Sequence, residues 1–214
     1  ATTIGCIIKS GCIPAFVDSE SSAKFTIDVN KIEKMINKNT KAMVIPNLMG
    51  NMPNWNEIKK IADKYNLKIL EDSADVIGAN YDNKKSGSYS DICITSFYGM
   101  HMINCAGNGG MILTSNEEYL KEAKLLRSWG RSSSLFVDSE KIENRFNVYL
   151  DNIQYDAKFI FEKVGYMLEP SELGSAFGLE QLKKLDSILE KRKNNANSHL
   201  SFFKKYEEWL ELPE

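Results

Sequence analysis

The chain has 214 residues, with 27 basic and 29 acidic side chains and a net charge of −2. That length suits one large domain or two small ones with a sizeable core. The evenly mixed charge gives no footprint for nucleic acid or a membrane surface, and no apolar run approaches the ~20 residues of a membrane span.

Taken in chain order, the pattern alternates between strand and helix. Ile13-Pro-Ala-Phe-Val17 is a short apolar run ending at Asp18, and it predicts a strand. Asp28 predicts a helix N-cap, with Val29, Ile32, Met35 and Ile36 on one face. Lys41–Ile45 reads as a buried strand closed by Pro46 and Asn47. Asn54 and Glu57 have capping-box spacing ahead of a helix whose stripe is Trp55, Ile58, Ile61, Ala62 and Tyr65. Leu67–Leu70, Asp91–Thr95 and Gly110–Thr114 predict three more strands, and 117–127 a helix. Residues 130–165 are polar and sprinkled with aromatics, and predict a long surface excursion. From Ser171 onward the chain reads as helical, with a broad apolar face of Leu173, Ala176, Phe177, Leu179, Leu182, Leu185, Ile188 and Leu189. The small residues Gly174, Ser175, Ala176 and Gly178 would allow close helix contact.

Strands separated by amphipathic helices predict a three-layer α/β architecture, a mostly parallel sheet covered on both faces. Ligands in such sheets bind at the carboxyl ends of strands. Polar residues end the apolar runs there: Asp18, Asn47, Asp72 and Ser96. A carboxylate at Asp72 could pair with a protonated ring nitrogen, or simply cap the next turn. Asp75 lies three residues on, as a second site acid or a solvated loop charge. The Ser96 hydroxyl could donate to a phosphate, though a lone serine at a strand end is usually structural. Gly107, Gly109 and Gly110 allow tight turns but are a weak phosphate-loop signal. His101 has the near-neutral titration suited to a general base; a single histidine is more often a satisfied structural group. Ser133, Arg131 and Arg145 are candidate loop contacts to an anion. The four cysteines contain no Cys-x-x-Cys pair and read as free thiols of a reducing cytoplasm, and no metal site is expected.

Together these segments resemble the sugar aminotransferase family named after DegT and StrS. The resemblance is carried by Ile13-Pro-Ala-Phe-Val-Asp18, Phe25-Thr-Ile-Asp28, Thr40–Pro46, Asn47–Asn51, Ile61–Leu67 and Glu71-Asp-Ser-Ala-Asp75. It continues through Gly87-Ser-Tyr-Ser-Asp91, Ser96-Phe97, Gly109-Gly110, Gly165-Tyr166 and Glu172–Leu182. It implies the large domain of a pyridoxal-phosphate-dependent transferase with the aspartate aminotransferase fold. By that resemblance Asp72 faces the pyridine nitrogen, Asp75 lies near the ring hydroxyl and Ser96 binds the phosphate. His101 takes the position of the lysine that tethers the cofactor in aminotransferases. Histidine there is similar to the nucleotide-linked 4-keto-6-deoxyhexose 3-dehydratases, which use pyridoxamine phosphate. The resemblance therefore implies a homodimeric cytoplasmic enzyme that binds a nucleotide-linked keto-deoxy sugar for surface polysaccharide, lipopolysaccharide included.

The sequence departs from the family pattern in three places. Cysteines that hold an iron–sulfur cluster in one dehydratase branch are replaced after Trp129-Gly-Arg131 by Ser132, Ser133 and Ser134, so no such cluster is expected. The family's Gly-Tyr-Asn is Gly165-Tyr166-Met167. The segment from His101 to Gly109 is a residue longer than usual. The first residues carry no initiator methionine and no secretory signal, and the ends look cut. Residues 1–190 are expected to form the large cofactor-binding domain, its N-terminal part missing. Residues 191–214 are expected to lead by a helix toward an absent C-terminal small domain. Two other readings stay open. An aminotransferase would need a lysine from elsewhere, since none lies between Lys85 and Lys121. A non-catalytic relic of the fold could serve as an assembly module.

Overall fold

The structure, a computed structural model, describes residues 1–213. The chain forms two compact units, one of residues 1–113 with 172–214 and one of residues 114–171.

In the first unit, α1 (Thr2–Lys9) and α2 (Val29–Met35) precede β1 (Ala42–Pro46). α3 (Trp55–Tyr65) leads into β2 (Lys68–Asp72), followed by a small hairpin of β3 (Asn80–Tyr81) and β4 (Lys84–Lys85). β5 (Ile92–Ser96) and β6 (Gly110–Leu113) complete the main sheet, whose order is β1-β2-β5-β6. The β1–β2 and β2–β5 pairings are parallel and β5–β6 is antiparallel. The sheet is thus mostly parallel, as expected.

The helix starts follow the caps read from sequence. The Asp28 carboxylate accepts from the Asn30 N–H at 3.1 Å, and the Asn54 side chain accepts from the Glu57 N–H at 3.2 Å. Glu57 does not return the second half of a capping box; its carboxylate pairs with Lys60 at 2.6 Å instead. One face of the sheet carries the core. Met43, Ile45 and Ile69 pack with Trp55, Ile58 and Ala62 of α3, Ile32 of α2, and Tyr89. Each such fully buried side chain contributes about 1.5–3 kcal/mol. Trp55 and Tyr89 stack with ring centroids 6.4 Å apart.

One expectation fails here. Residues 13–17 form no strand: Ile13 is 94% exposed, and the only ladder contact nearby is an isolated bridge between Ser19 and Ile27. An apolar run becomes a strand only when a neighbouring strand takes its N–H and C=O groups, and none lies beside it among the described residues. Asp18 is therefore not a strand end; it pairs with Lys31 of α2 at 3.4 Å. The tail is helical, as expected, and its apolar face is half-buried at Leu185, Ile188 and Leu189. α6 (Glu172–Leu182) and α7 (Leu185–Phe203) form, but Leu173, Phe177, Leu179 and Leu182 stay exposed.

The second unit begins with α4 (Glu117–Arg127), capped by Asn116, whose side chain accepts from the Glu118 and Tyr119 N–H groups. α5 (Ile142–Arg145) is a single turn, and β7 (Val148–Leu150) and β8 (Ile153–Tyr155) make an antiparallel hairpin. The excursion read from sequence is therefore partly ordered. Gly130 has φ +83° and lies so close to the Lys163 carbonyl that a side chain would collide with it. Trp129 donates its N–H to the Tyr166 carbonyl at 2.9 Å, holding the two segments together. Among the described residues, no helix is long and apolar enough to cross a membrane.

Candidate active site

The candidate site lies in the first unit, at the carboxyl ends of β2 and β5. The register pairs Pro46 with Asp72 and Asp72 with Ile94. Ser96 lies two residues beyond Ile94, so its side chain points to the same face as Asp72. Two rises along the strand and one strand spacing put the two Cα atoms about 8 Å apart. A carboxylate and a hydroxyl thus face the same side of the sheet.

Asp72 is held by neutral donors. Its Oδ2 accepts from the Thr3 hydroxyl at 2.8 Å, and its Oδ1 from the Ala74 N–H at 3.3 Å. No cation is paired with it among the described residues, so its charge is available to a positively charged partner. The Ser96 oxygen accepts from the Tyr98 N–H at 3.2 Å, which leaves its O–H able to donate. These are the donor and acceptor types that a protonated pyridine nitrogen and a phosphate require, and the residues fit pyridoxal or pyridoxamine phosphate.

His101 sits in the connection between β5 and β6. That connection is tight: Phe97 donates its N–H to the Gly109 carbonyl at 2.9 Å, and Cys105 donates to the Phe97 carbonyl at 3.0 Å. Gly109 has φ +133°, and a side chain on it would press on Phe97 and Cys105. A turn closed by the His101 N–H to the Tyr98 carbonyl, 3.0 Å, presents the imidazole. Its Nδ1 lies 3.4 Å from Oδ1 of Asp75, with side chains 23% and 38% exposed. Asp75 is held from the other side by the Met49 N–H, which donates to Oδ2 at 3.2 Å. The structure therefore brings His101 to Asp75, and Asp72 and Ser96 to one face of the sheet.

Asn47 does not face the site. It is 1% exposed, and its amide group donates to Glu71 at 2.9 Å and to Ser73 at 2.8 Å while accepting from the Trp55 indole at 3.2 Å. The Glu71 carboxylate, also 1% exposed, accepts from Ser73 at 2.7 Å, from the Gly87 N–H at 2.8 Å and from Ser90 at 3.0 Å. Burial, and then the negative charge of Glu71, push the neighbouring Cys93 thiol up to about 11. In the second unit, Arg145 is committed to Asp156, holding that carboxyl below its usual range. Arg131 lies over the Trp129 ring at 4.4 Å, and Ser133 is buried. Sequence reasoning missed Thr3, the Met49 N–H and the Glu71 cluster. Only the last left a signal, in the polar pairs that close β1 and β2.

The sheet is mostly parallel, with an acid and a hydroxyl at its strand ends and an imidazole in the β5–β6 connection, and strand ends are where α/β sheets take their ligands. The particular family follows from comparison. The chain belongs to the DegT/DnrJ/EryC1/StrS aminotransferase family, matched over residues 1–213. It is 34% identical to the lipopolysaccharide biosynthesis protein RfbH of Salmonella typhimurium, covering 100% of this chain and 49% of that protein. It superimposes with a TM-score of 0.78 on Escherichia coli GDP-4-keto-6-deoxy-D-mannose-3-dehydratase with bound hydrated PLP, at 30% identity over 92% of this chain and 49% of the other. A similar match, TM-score 0.77 at 28% identity over 94% and 48% of the two chains, is Helicobacter pylori PseC, an aminotransferase of pseudaminic acid biosynthesis. The chain spans about half the length of the relatives it matches. It belongs, then, to a family of pyridoxal-phosphate-dependent, sugar-modifying enzymes with dehydratase and aminotransferase members.

Proposed function

We propose that the protein removes the carbon-3 hydroxyl of a nucleotide-linked 4-keto-6-deoxyhexose, on a route to 3-deoxy sugars of surface polysaccharide. Asp72, Asp75 and Ser96 hold pyridoxamine or pyridoxal phosphate, and His101 is the base. The bound cofactor supplies an electron sink, a cationic ring that accepts the electrons released when a neighbouring C–H bond breaks. Asp72 keeps the ring nitrogen protonated by setting a carboxylate beside it, and Ser96 donates its O–H to the phosphate. Asp75 accepts from Nδ1–H of His101, which leaves Nε2 as the nitrogen that takes the proton. The protonated imidazole then returns it to the departing hydroxyl, which leaves as water.

The observation that carries this reading is the imidazole at residue 101, 3.4 Å from Asp75, where amino transfer would need an amine. Similarity to PseC favours amino transfer as the second reading. That reading requires a lysine which the stretch between Lys85 and Lys121 does not supply. We place the intact enzyme in the cytoplasm as a homodimer. Mass spectrometry of the products from several nucleotide-linked 4-keto sugars, incubated with the intact protein and pyridoxamine phosphate, is the test. A 4-keto product lighter by one oxygen at carbon 3, formed together with one pyridoxal phosphate and one ammonia from the pyridoxamine phosphate consumed, supports dehydration. An amino sugar from every substrate consumed would replace this reading with amino transfer.

A further inference from the structure

Among the described residues, the buried Glu71 carboxylate has no ion-pair partner, and it has no part in the chemistry above. Its four donors match its four lone-pair directions: the Asn47 amide and Ser73 hydroxyl on Oε1, the Gly87 N–H and Ser90 hydroxyl on Oε2. Two of those donors, an amide N–H and a backbone N–H, cannot turn round and accept. The set therefore holds a carboxylate. Its side chain lies on the face of the sheet opposite to Asp72, so it cannot itself reach a ligand placed against Asp72.

What it can do is fix Asn47. Both donors of the side-chain amide and its carbonyl oxygen are engaged, by Glu71, Ser73 and Trp55. Asn47 is also the residue from which the 48–50 turn departs. In that turn Met49 adopts φ +54°, ψ +28°, a left-handed conformation a methionine does not choose by itself. From that turn the Met49 N–H donates to Oδ2 of Asp75, whose other oxygen faces His101.

We infer that Glu71 and Asn47 are a positioning couple: together they hold the strained 48–50 turn against Asp75, and through Asp75 they fix which nitrogen of His101 carries the proton. This rests on the reading of His101 as the base, which gives the tautomer its importance. The contacts themselves do not depend on that reading.

The test uses the intact protein with 15N-labelled histidine and methionine. The His101 signals are assigned as those lost in His101→Gln, and His199 serves as an internal control. Spectra are recorded across a pH series, and the tautomer is read on its alkaline plateau. In the unaltered protein His101 should show one protonated Nδ1 and one bare Nε2. Asn47→Ala should draw the two nitrogen shifts of His101 toward each other, as tautomers mix, and move the Met49 amide proton upfield. Ser90→Ala, which removes a donor from Glu71 but leaves Asn47 alone, should lower stability without moving either signal. Should Asn47→Ala fail to fold, Ser73→Ala carries the test, with smaller shifts in the same direction expected. Unchanged His101 and Met49 signals in a folded Asn47→Ala or Ser73→Ala protein overturn the inference. So do equal shifts in Ser90→Ala, which would mean general loosening. A failed dehydration assay on the unaltered protein sinks the functional reading instead, and leaves these signals to be judged separately.

Discussion

Replacing Glu71 by glutamine changes one atom type and one charge at the centre of the hydrogen-bonded cluster. The new amide group must face either Asn47 and Ser73 or Gly87 and Ser90. The serine hydroxyls can turn to accept from it, but the Asn47 and Gly87 N–H groups cannot. One buried donor is therefore stranded in either orientation, at about 1–3 kcal/mol. The three hydrogen bonds that remain lose their charge assistance, about 1 kcal/mol each. Relief of the carboxylate's desolvation works the other way by a few kcal/mol. The net expectation is a loss of about 3 kcal/mol, or about 6–12 °C in melting temperature for a chain of this size. A second readout comes from Cys93. With Glu71 neutral, its thiol should titrate below about 11, while burial still keeps it above the ordinary 9.0. Thermal unfolding gives the first number, and thiolate absorbance in a background with Cys6, Cys12 and Cys105 changed to serine gives the second. A Glu71→Gln protein as stable as the parent, with its Cys93 titration unmoved, would refute the reasoning that this site holds a charge.

Other outcomes follow from the same geometry. Because Cys93 titrates near 11 when folded and near 9.0 when unfolded, the folded chain keeps a proton that the unfolded chain loses. Its contribution, on the order of 3 kcal/mol, is therefore fully present below pH 9 and disappears as the pH rises toward 11. Cys93→Ala should flatten that part of the stability–pH curve, read by denaturant unfolding; an unchanged slope would contradict it. His101→Lys should create a borohydride-trappable adduct with pyridoxal phosphate at residue 101, located by peptide mass spectrometry. A folded variant with Asp72 and Ser96 intact and no adduct would count against the site assignment. Gly130→Ala should destabilise the 114–171 unit by more than about 2 kcal/mol, because it combines a left-handed backbone with a collision at the Lys163 carbonyl. Faster amide exchange at Trp129 and Tyr166 would report it, and wild-type exchange would argue against it.

Much of the first unit was legible because its signals are local. Asp28 and Asn54 mark helix starts by their own side chains, and the apolar strands of the sheet sit between Gly, Pro and Asn breaks. Residues 13–17 misled because a strand is defined by its neighbours, which composition does not reveal. Two small hairpins went unread although both turn on the same dipeptide. Asp82-Asn83 and Asp151-Asn152 each place two residues at positive φ, the geometry of a tight two-residue hairpin turn. At the site, the resemblance pointed to Asp72, Asp75, Ser96 and His101. Thr3 reaches Asp72 from 69 residues away, and no local pattern announces a contact of that range. Asn47 was read as a strand-end polar group open to ligand. Its burial depends on Trp55, eight residues on, turning its indole inward, which only tertiary packing decides.

The stretch that presents His101 leaves β5 and returns along β6 with both ends pinned by backbone hydrogen bonds. A change of residue at its tip thus alters which reactive group is offered while the acid and the hydroxyl keep their places. Such a layout lets the residue at its tip be exchanged without any strand being rebuilt.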